Sequence, residues 1–350
     1  MKRTASRHFV ALLLGMTLVD AGEEVRAQQE SKIAVDVNTV NLEAVVRDKH
    51  GKIFPGLNKE AFVLEEDGRP QTIDYFAKES DLPLRLGLLV DTSLSQRRVL
   101  EEERKASYGF VDHLLREHKD LAAVLNFDRE VTLLADFTEV RPKLQAAFEG
   151  LQVPQDSGGN NGGSGGGRGR GGSRSGGGHG GGTLLYDAVY LASDELMSKQ
   201  QGRKALIILS DGVDHGSKET LNEAIESAQR ADAVIYSILF KDEKSFDSGP
   251  HFGRGGRIGG ASRRPQQEER VDGKKILAEL STKSGGRLFE VSKKESVEKI
   301  YGEIEEELRN QYRLGYTPDK GAGPGYHKIS LTVHNKELVV QTREGYYGGS

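Results

Sequence analysis

The sequence predicts an α/β fold: a doubly wound, mostly parallel sheet inserted in a smaller β-sandwich-like domain built from both ends of the chain. Three observations predict it. Through the middle of the chain, apolar strand-length runs alternate with amphipathic helical stretches, the pattern of a sheet covered by helices on both faces. Both ends instead show the two-residue alternation of half-buried antiparallel strands. Neither end holds enough strands for a stable unit of its own, so the two ends are expected to pair with each other.

The elements follow in order. From Ile33 to about Phe76 the pattern is β: Val40, Leu42, Ala44 and Val46 alternate with polar residues, Lys49-His50-Gly51 makes a turn, and Asp67-Gly68 closes a second hairpin. The period then changes. Leu84 to Val90, broken only by Arg85, is an apolar run suited to a strand buried on both faces, and "RRVLEEERKASYGFVDHLLREH" after it is amphipathic and helical. Further strand runs are "LAAVLNF" (121–127), "VTLLADF" (131–137), "KALIILS" (204–210), "AVIYSILF" (233–240) and the short "GRLFEV" (286–291). Helical patterns intervene at 141–151, 184–199, 218–231 and 274–283, and a last one spans Lys294 to about Asn310. After it, "YRLGY", "HKISLTVHN" and "ELVVQTR" return to strand alternation. The expected organisation is therefore a β part at 31–80, an α/β domain at 84–310 and a second β part at 311–350.

The chain begins with Lys2, Arg3 and Arg7 ahead of an apolar stretch from Phe9 to Val19, and "VRA" ends at Ala27 with small or aliphatic residues at the cleavage positions. This is the layout of an export signal over residues 1–27. The apolar stretch falls short of the about 20 residues a membrane span needs, and no later segment is long enough, so no transmembrane segment is expected after cleavage. Export places the mature protein in the periplasm, on the cell surface or outside the cell.

Composition narrows the chemistry. With no cysteine, disulfides, zinc-thiolate sites and cysteine nucleophiles are excluded, and any metal must be held by oxygen or imidazole. The net charge of -4 gives no bulk reason to bind polyanions. Arginine does concentrate in two glycine-rich tracts, 158–182 and 248–270 (Arg168, Arg170 and Arg174; Arg254, Arg257, Arg263 and Arg264). These tracts have no apolar surface to bury and are expected to be flexible loops. Export makes nucleic acid an unexpected partner for their arginines. "GRGGRIGG" in the second tract has no strand running into it and no helix opening at its end, so it is not a phosphate loop.

The strand tips carry the candidate site. "LLVDTSLS" ends a buried strand with Asp91, Ser93 and Ser95, where alternate side chains can converge above the sheet edge. Thr183 opens a helical pattern after the first glycine tract, in "GGTLLYDAV", and Asp211 follows the strand "ALIILS" in "LSDGVD". Ligands of such sheets sit at the carboxyl ends of the strands. Two carboxylates and three hydroxyls form a hard oxygen set suited to Mg²⁺ or Mn²⁺ with one coordination position left open.

Asp-x-Ser-x-Ser after an apolar strand, "GGT" before a helix and "SDG" after a later strand resemble the von Willebrand factor type A domain, over roughly Leu84 to Asn310. The flanking "GLNKEAFVLEEDGRPQTIDYF" and "QYRLGYTP…REGYY" resemble a bacterial secreted group of proteins related to that domain. The resemblance implies a doubly wound sheet and a metal-ion-dependent adhesion site, with Asp91, Ser93, Ser95, Thr183 and Asp211 at its five positions. It implies binding of a protein partner through an Asp or Glu carboxylate. Because only Asp91 and Asp211 are charged, the ion would keep affinity for an anionic sixth ligand. It also implies that the last helix shifts on binding; here that helix leads into the C-terminal strands.

No enzymatic activity is expected. An aspartic-type hydrolase needs glycine where Ser93 stands, usually a second copy of its motif, and a mostly β chain; a haloacid dehalogenase-type phosphatase needs a second aspartate at position 93. The competing class is a structural or assembly component of the cell envelope, with the metal site incidental. The nine histidines show no ligand spacing, and His113 and His118, five apart on the expected helix, face different ways, so solvated surface histidines are expected.

Overall fold

The computed structural model describes residues 39–78, 82–153, 182–240, 272–319 and 323–348. The expected export signal, the start of the first β pattern, and the two glycine-rich tracts apart from Gly182 lie outside the described residues.

The central sheet has six strands: β5 (Leu84–Asp91), β6 (Leu121–Phe127), β7 (Val131–Thr138), β8 (Arg203–Ser210), β9 (Ala233–Leu239) and β10 (Leu288–Glu290), with β1 to β4 preceding them in the chain. Their order is β10-β9-β8-β5-β6-β7. All neighbours run parallel except β7, which returns antiparallel along β6 at the edge. The sheet is mixed in this way because the β6–β7 connection is too short for a crossover helix.

Alternation along β5 shows why its run is apolar apart from Arg85 near its start. Leu84, Leu86, Leu88 and Val90 enter one core with α1 (Leu100–Leu114), α2 (Arg141–Glu149) and α6 (Val297–Arg309). Leu89 faces the other, with α3 (Leu185–Leu191), α4 (Leu221–Arg230) and α5 (Gly273–Ser284). Gly87 faces that second core; a Cβ there would lie 2.6 Å from Leu206 Cδ2, so a larger residue would displace the Leu206 side chain. Burying both faces of β5 and β8 supplies the main apolar driving force of this half.

Two helical expectations are corrected. The pattern at 184–199 is not one α-helix: α3 gives way at Ala192 to a π turn running to Met197, which widens the helix where Ala192 and Met197 enter the core. α1 ends at Leu114, so His118 is not helical but sits in the following turn at φ +57°.

The two ends of the chain form the β sandwich. β1 (Val40–Asp48), β4 (Tyr75–Lys78), β11 (Tyr312–Tyr316) and β13 (Leu338–Gln341) make one sheet in the order β13-β1-β11-β4. β2 (Phe62–Glu66), β3 (Arg69–Pro70), β12 (Gly325–Val333) and β14 (Gly345–Gly348) make the other, in the order β14-β12-β2-β3. Leu42, Ala44 and Val46 of the first sheet pack on Phe62, Leu64, Ile329 and Leu331 of the second. The hairpin between β2 and β3 turns on Asp67 and Gly68, at φ +50° and +75°, as the Asp-Gly pair requires. β14 was not expected, because "GYYG" has too few residues to alternate.

The α/β half leaves from β4 and returns into β11, and these two strands are hydrogen-bonded neighbours, Tyr312 opposite Lys78. The insertion therefore interrupts the sandwich between adjacent strands without disturbing its pairing. Glu307 of α6, fully buried, ties the halves together: its Oε1 lies 2.6 Å from Arg47 Nη2 of β1 and 2.5 Å from Arg287 Nε. Arg343 adds a second tie, donating to Asn41 O at 2.7 Å and Gln229 O at 3.0 Å and pairing with Asp232 at 3.0 Å. No helix among the described residues is long and apolar enough to cross a membrane.

Candidate functional site

The site lies at the carboxyl edge of β5 and β8. Asp91 ends β5 with its side chain completely buried. Its Oδ1 accepts from Ser93 N at 2.9 Å, which folds the chain back over the strand tip. Its Oδ2 accepts from Ser210 Oγ, the last residue of β8, at 2.6 Å. Ser210 Oγ in turn accepts from Gly212 N at 3.0 Å, so one hydroxyl joins the loop after β5 to the loop carrying Asp211. Gly212 sits at φ +79°, and Val213 N donates to Asp211 Oδ1 at 3.0 Å. The "SDG" pattern thus sets up a turn that needs glycine third and holds the aspartate at its crest.

Ser93 and Ser95 point together, their Oγ atoms 2.9 Å apart. Gln96 Nε2 donates to Ser95 Oγ at 3.3 Å. Ser93 is buried while Ser95 is exposed, so this pair spans the depth of the site from core to solvent. Thr183 is buried and exchanges backbone hydrogen bonds with His215, Thr183 N to His215 O at 3.1 Å and His215 N to Thr183 O at 2.8 Å. Leu184 N donates to Asp128 O at 2.9 Å. Thr183 is therefore held between the loop that follows Asp211 and the β6–β7 turn. All three sequence segments reach the same sheet edge.

Electrostatics at this edge are unbalanced. Burial pushes the Asp91 carboxyl up to about 6, against the pull of the Ser210 and Ser93 hydrogen bonds, and the nearby Asp211 carboxylate raises it further. No cationic side chain appears among the described groups acting on it. Glu103, on the first turn of α1, is a third carboxyl that the sequence reading missed. It is fully buried, neither of its oxygens has a hydrogen-bond partner, and burial together with Asp91, Glu102 and Asp211 holds its pKa well above the usual carboxylate range. The signal was present in "LEEERKAS", where Glu103 falls on the apolar face with Ala106, Ser107 and Phe110, but a run of three glutamates reads as a solvated helix start. Clustered acidic groups, a hydroxyl pair and orphaned buried carboxylate oxygens fit a hard divalent cation.

A second group of ligand-type atoms lies in the sandwich. Glu66, Asp67 and His327 bring their ligand atoms within 4.8 Å of one another. His327 Nδ1 is 3.0 Å from Asp67 Oδ2 and 3.8 Å from Glu66 Oε1, and its Nε2 is 3.0 Å from Gly323 O. With acceptors on both ring nitrogens, the imidazolium is the form satisfied here, and the Gly323 carbonyl and Asp67 raise the His327 pKa. Glu66 is also claimed by Tyr316 Oη at 2.5 Å and Tyr346 Oη at 3.2 Å. His327 is thus a clamped, partly buried group, not the solvated surface histidine expected from the sequence. Asp67 and His327 are separated by 260 residues, so no local spacing could reveal them.

No protein-family profile and no curated protein matches the chain. Similar solved structures include an aerotolerance-related membrane protein from Bacteroides fragilis, 13% identical, covering 64% of this chain and 98% of that one at a TM-score of 0.43. The vWF domain of the type V pili tip protein Mfa5 from Porphyromonas gingivalis is 11% identical over 64% of this chain and 94% of its own, at 0.42. Proximal thread matrix protein 1 from the mussel byssus, with a zinc-occupied MIDAS motif, is 13% identical over 69% of this chain and 49% of its own, at 0.44, so the chain spans about half its length. These overlays are loose. By its own strand order, its antiparallel edge strand and the three helices on each face among the described residues, the α/β half of this chain is a doubly wound, mostly parallel sheet.

Proposed function

We propose that Asp91, Ser93, Ser95, Thr183 and Asp211 hold one divalent cation, Mg²⁺ or Mn²⁺, and that the protein is an exported binding module that takes an acidic group of a protein partner at that centre. The observation that carries this reading is the joining of the Asp91 and Asp211 loops through Ser210 Oγ, beside the Ser93–Ser95 hydroxyl pair, with no cationic side chain among the described groups acting on Asp91. Two like charges in a buried setting stay close only if a proton or a cation lies between them. The bound ion would supply a positive centre for a partner's Asp or Glu.

The chain's own residues do the rest. Ser210 and Ser93 N orient Asp91, Val213 N orients Asp211, and exposed Ser95 marks the open side. Export through residues 1–27 and the division into 31–80, 84–310 and 311–350 complete the reading. A non-catalytic role suits a set in which no serine is paired with a histidine: Ser93 and Ser95 face each other, and Ser210 donates to Asp91, which this reading assigns to the ion.

The test is capture from an envelope extract on immobilised protein in Mg²⁺, followed by EDTA. The reading predicts that EDTA releases the partner and that Asp91→Asn captures none. Capture indifferent to both would sink it and would favour an envelope assembly component whose contacts come from the β sandwich.

A further inference from the structure

Among the described residues, Glu103 is the carboxyl with both oxygens buried and without a hydrogen-bond partner. Its neighbours on the same face of α1 are accounted for: Ser107 Oγ lies 2.6 Å from Tyr301 Oη, and Phe110 stacks on Tyr301 with ring centroids 4.3 Å apart. Glu103, one turn nearer the site, is 0% exposed and has no hydrogen-bond partner for either oxygen. The charged groups acting on it are all acidic: Asp91, Asp211 and Glu102. An apolar residue of the same size would satisfy that position at far lower cost, because a buried carboxyl with no partner is among the most expensive groups a core can hold.

We infer that Glu103 belongs to the metal centre as a positioning residue, accepting a hydrogen bond from a water on the ion's inner side. This rests on the reading of the site given above and adds a residue to it. Among the described residues, the set of three carboxylate or imidazole groups whose ligand atoms all fall within 4.8 Å of one another is Glu66, Asp67 and His327. Asp91, Asp211 and Glu103 are thus not packed to share one ion directly, so a link from Glu103 to the ion would run through a water. Outer carboxylates of this kind orient the inner ligands and strengthen the site.

The consequence is a charge count. With Asp91 and Asp211 alone, a divalent ion is just neutralised; once the ion's charge draws off the proton that burial keeps on Glu103, the loaded centre carries a net negative charge. Glu103 then holds the ion more tightly while weakening its pull on an incoming carboxylate. It would set the balance between keeping the metal and capturing the partner.

The experiment is Mn²⁺ binding to the full chain, read by loss of the free-ion EPR signal, for wild type, Glu103→Gln and Glu103→Leu. Expected are Mn²⁺ affinities about tenfold or more below wild type in both variants. Melting temperatures in EDTA should be equal to or above wild type, since an unpaired buried acid has been removed. That pairing of results separates the role from a structural one, because loss of packing would lower the melting temperature. Wild-type Mn²⁺ affinity in Glu103→Gln overturns the inference and leaves the five-residue site standing. Absence of Mn²⁺ binding by wild type overturns both.

Discussion

Ser210 donates its hydroxyl proton to Asp91 Oδ2 at 2.6 Å, joining the tips of two adjacent parallel strands. Because the same oxygen accepts from Gly212 N, the bond fixes the relative height of the loops bearing Asp91 and Asp211. Replacing Ser210 by Ala removes a donor from a buried carboxylate and an acceptor from a buried amide. Divalent ion affinity should fall by about tenfold or more, measured by titration calorimetry, with a stability loss of about 1–3 kcal/mol. Unchanged affinity would mean that the two loops are positioned independently.

Proton binding at Asp91 gives a second prediction. Its carboxyl titrates near 6 in the folded, metal-free protein against 3.8 for an unperturbed aspartate. Between these values the folded state binds more protons than the unfolded state, so this group's stabilisation is complete below about pH 4 and is lost as pH rises through 6. The loss is about 3 kcal/mol. In EDTA, the melting temperature should therefore decline across this window, and Asp91→Asn should flatten the decline. Mg²⁺ should raise the melting temperature more at pH 8 than at pH 5, since a cation must displace the proton in acid. A larger Mg²⁺ effect at pH 5 would contradict the assignment.

A glycine remote in sequence supports the same loop. A Cβ on Gly273, at the start of α5, would lie 2.1 Å from Asp211 O and 2.8 Å from Gly212 C. Gly273→Ala must push the Asp211 turn away from the sheet edge, at about 1–3 kcal/mol in stability. Ion affinity is expected to drop at least as far as in Ser210→Ala. Calorimetry on the refolded variant checks this; a wild-type binding curve would show that the turn can yield without moving its carboxylate.

The junction between the halves makes a stability prediction separate from the site. Glu307→Ala leaves Arg47 and Arg287 facing a buried void, and urea denaturation should show a loss of about 3–5 kcal/mol. Arg47→Ala should lose less, because Arg287 keeps the buried carboxylate paired. Equal losses would place the coupling elsewhere.

What could be read from sequence follows from how local each feature is. The buried strands were legible because burial on both faces demands a predominantly apolar run such as Leu84 to Val90, broken only by Arg85 near its start, and the sandwich strands because Ile329, Leu331 and Val333 must alternate. Asp91, Ser93, Ser95 and Asp211 were legible as oxygen-bearing residues at strand ends, because each closely follows an apolar strand run. Ser210 was not singled out, since a serine ending an apolar strand has no signature until its partner is known. Glu103 was hidden in an acidic helix start, and His327 by its distance along the chain from Glu66 and Asp67. The π turn at Ala192 leaves no periodic trace over so few residues, and β14 is too short to alternate. In each case a long-range contact, not local periodicity, decides the outcome.

The most direct measurement is calorimetric titration of Mg²⁺ into EDTA-stripped, dialysed protein, repeated with Asp91→Asn and Asp211→Ala. The account predicts one site per chain in the wild type and none in either variant. Absence of binding in the wild type, or binding that survives both substitutions, would contradict it.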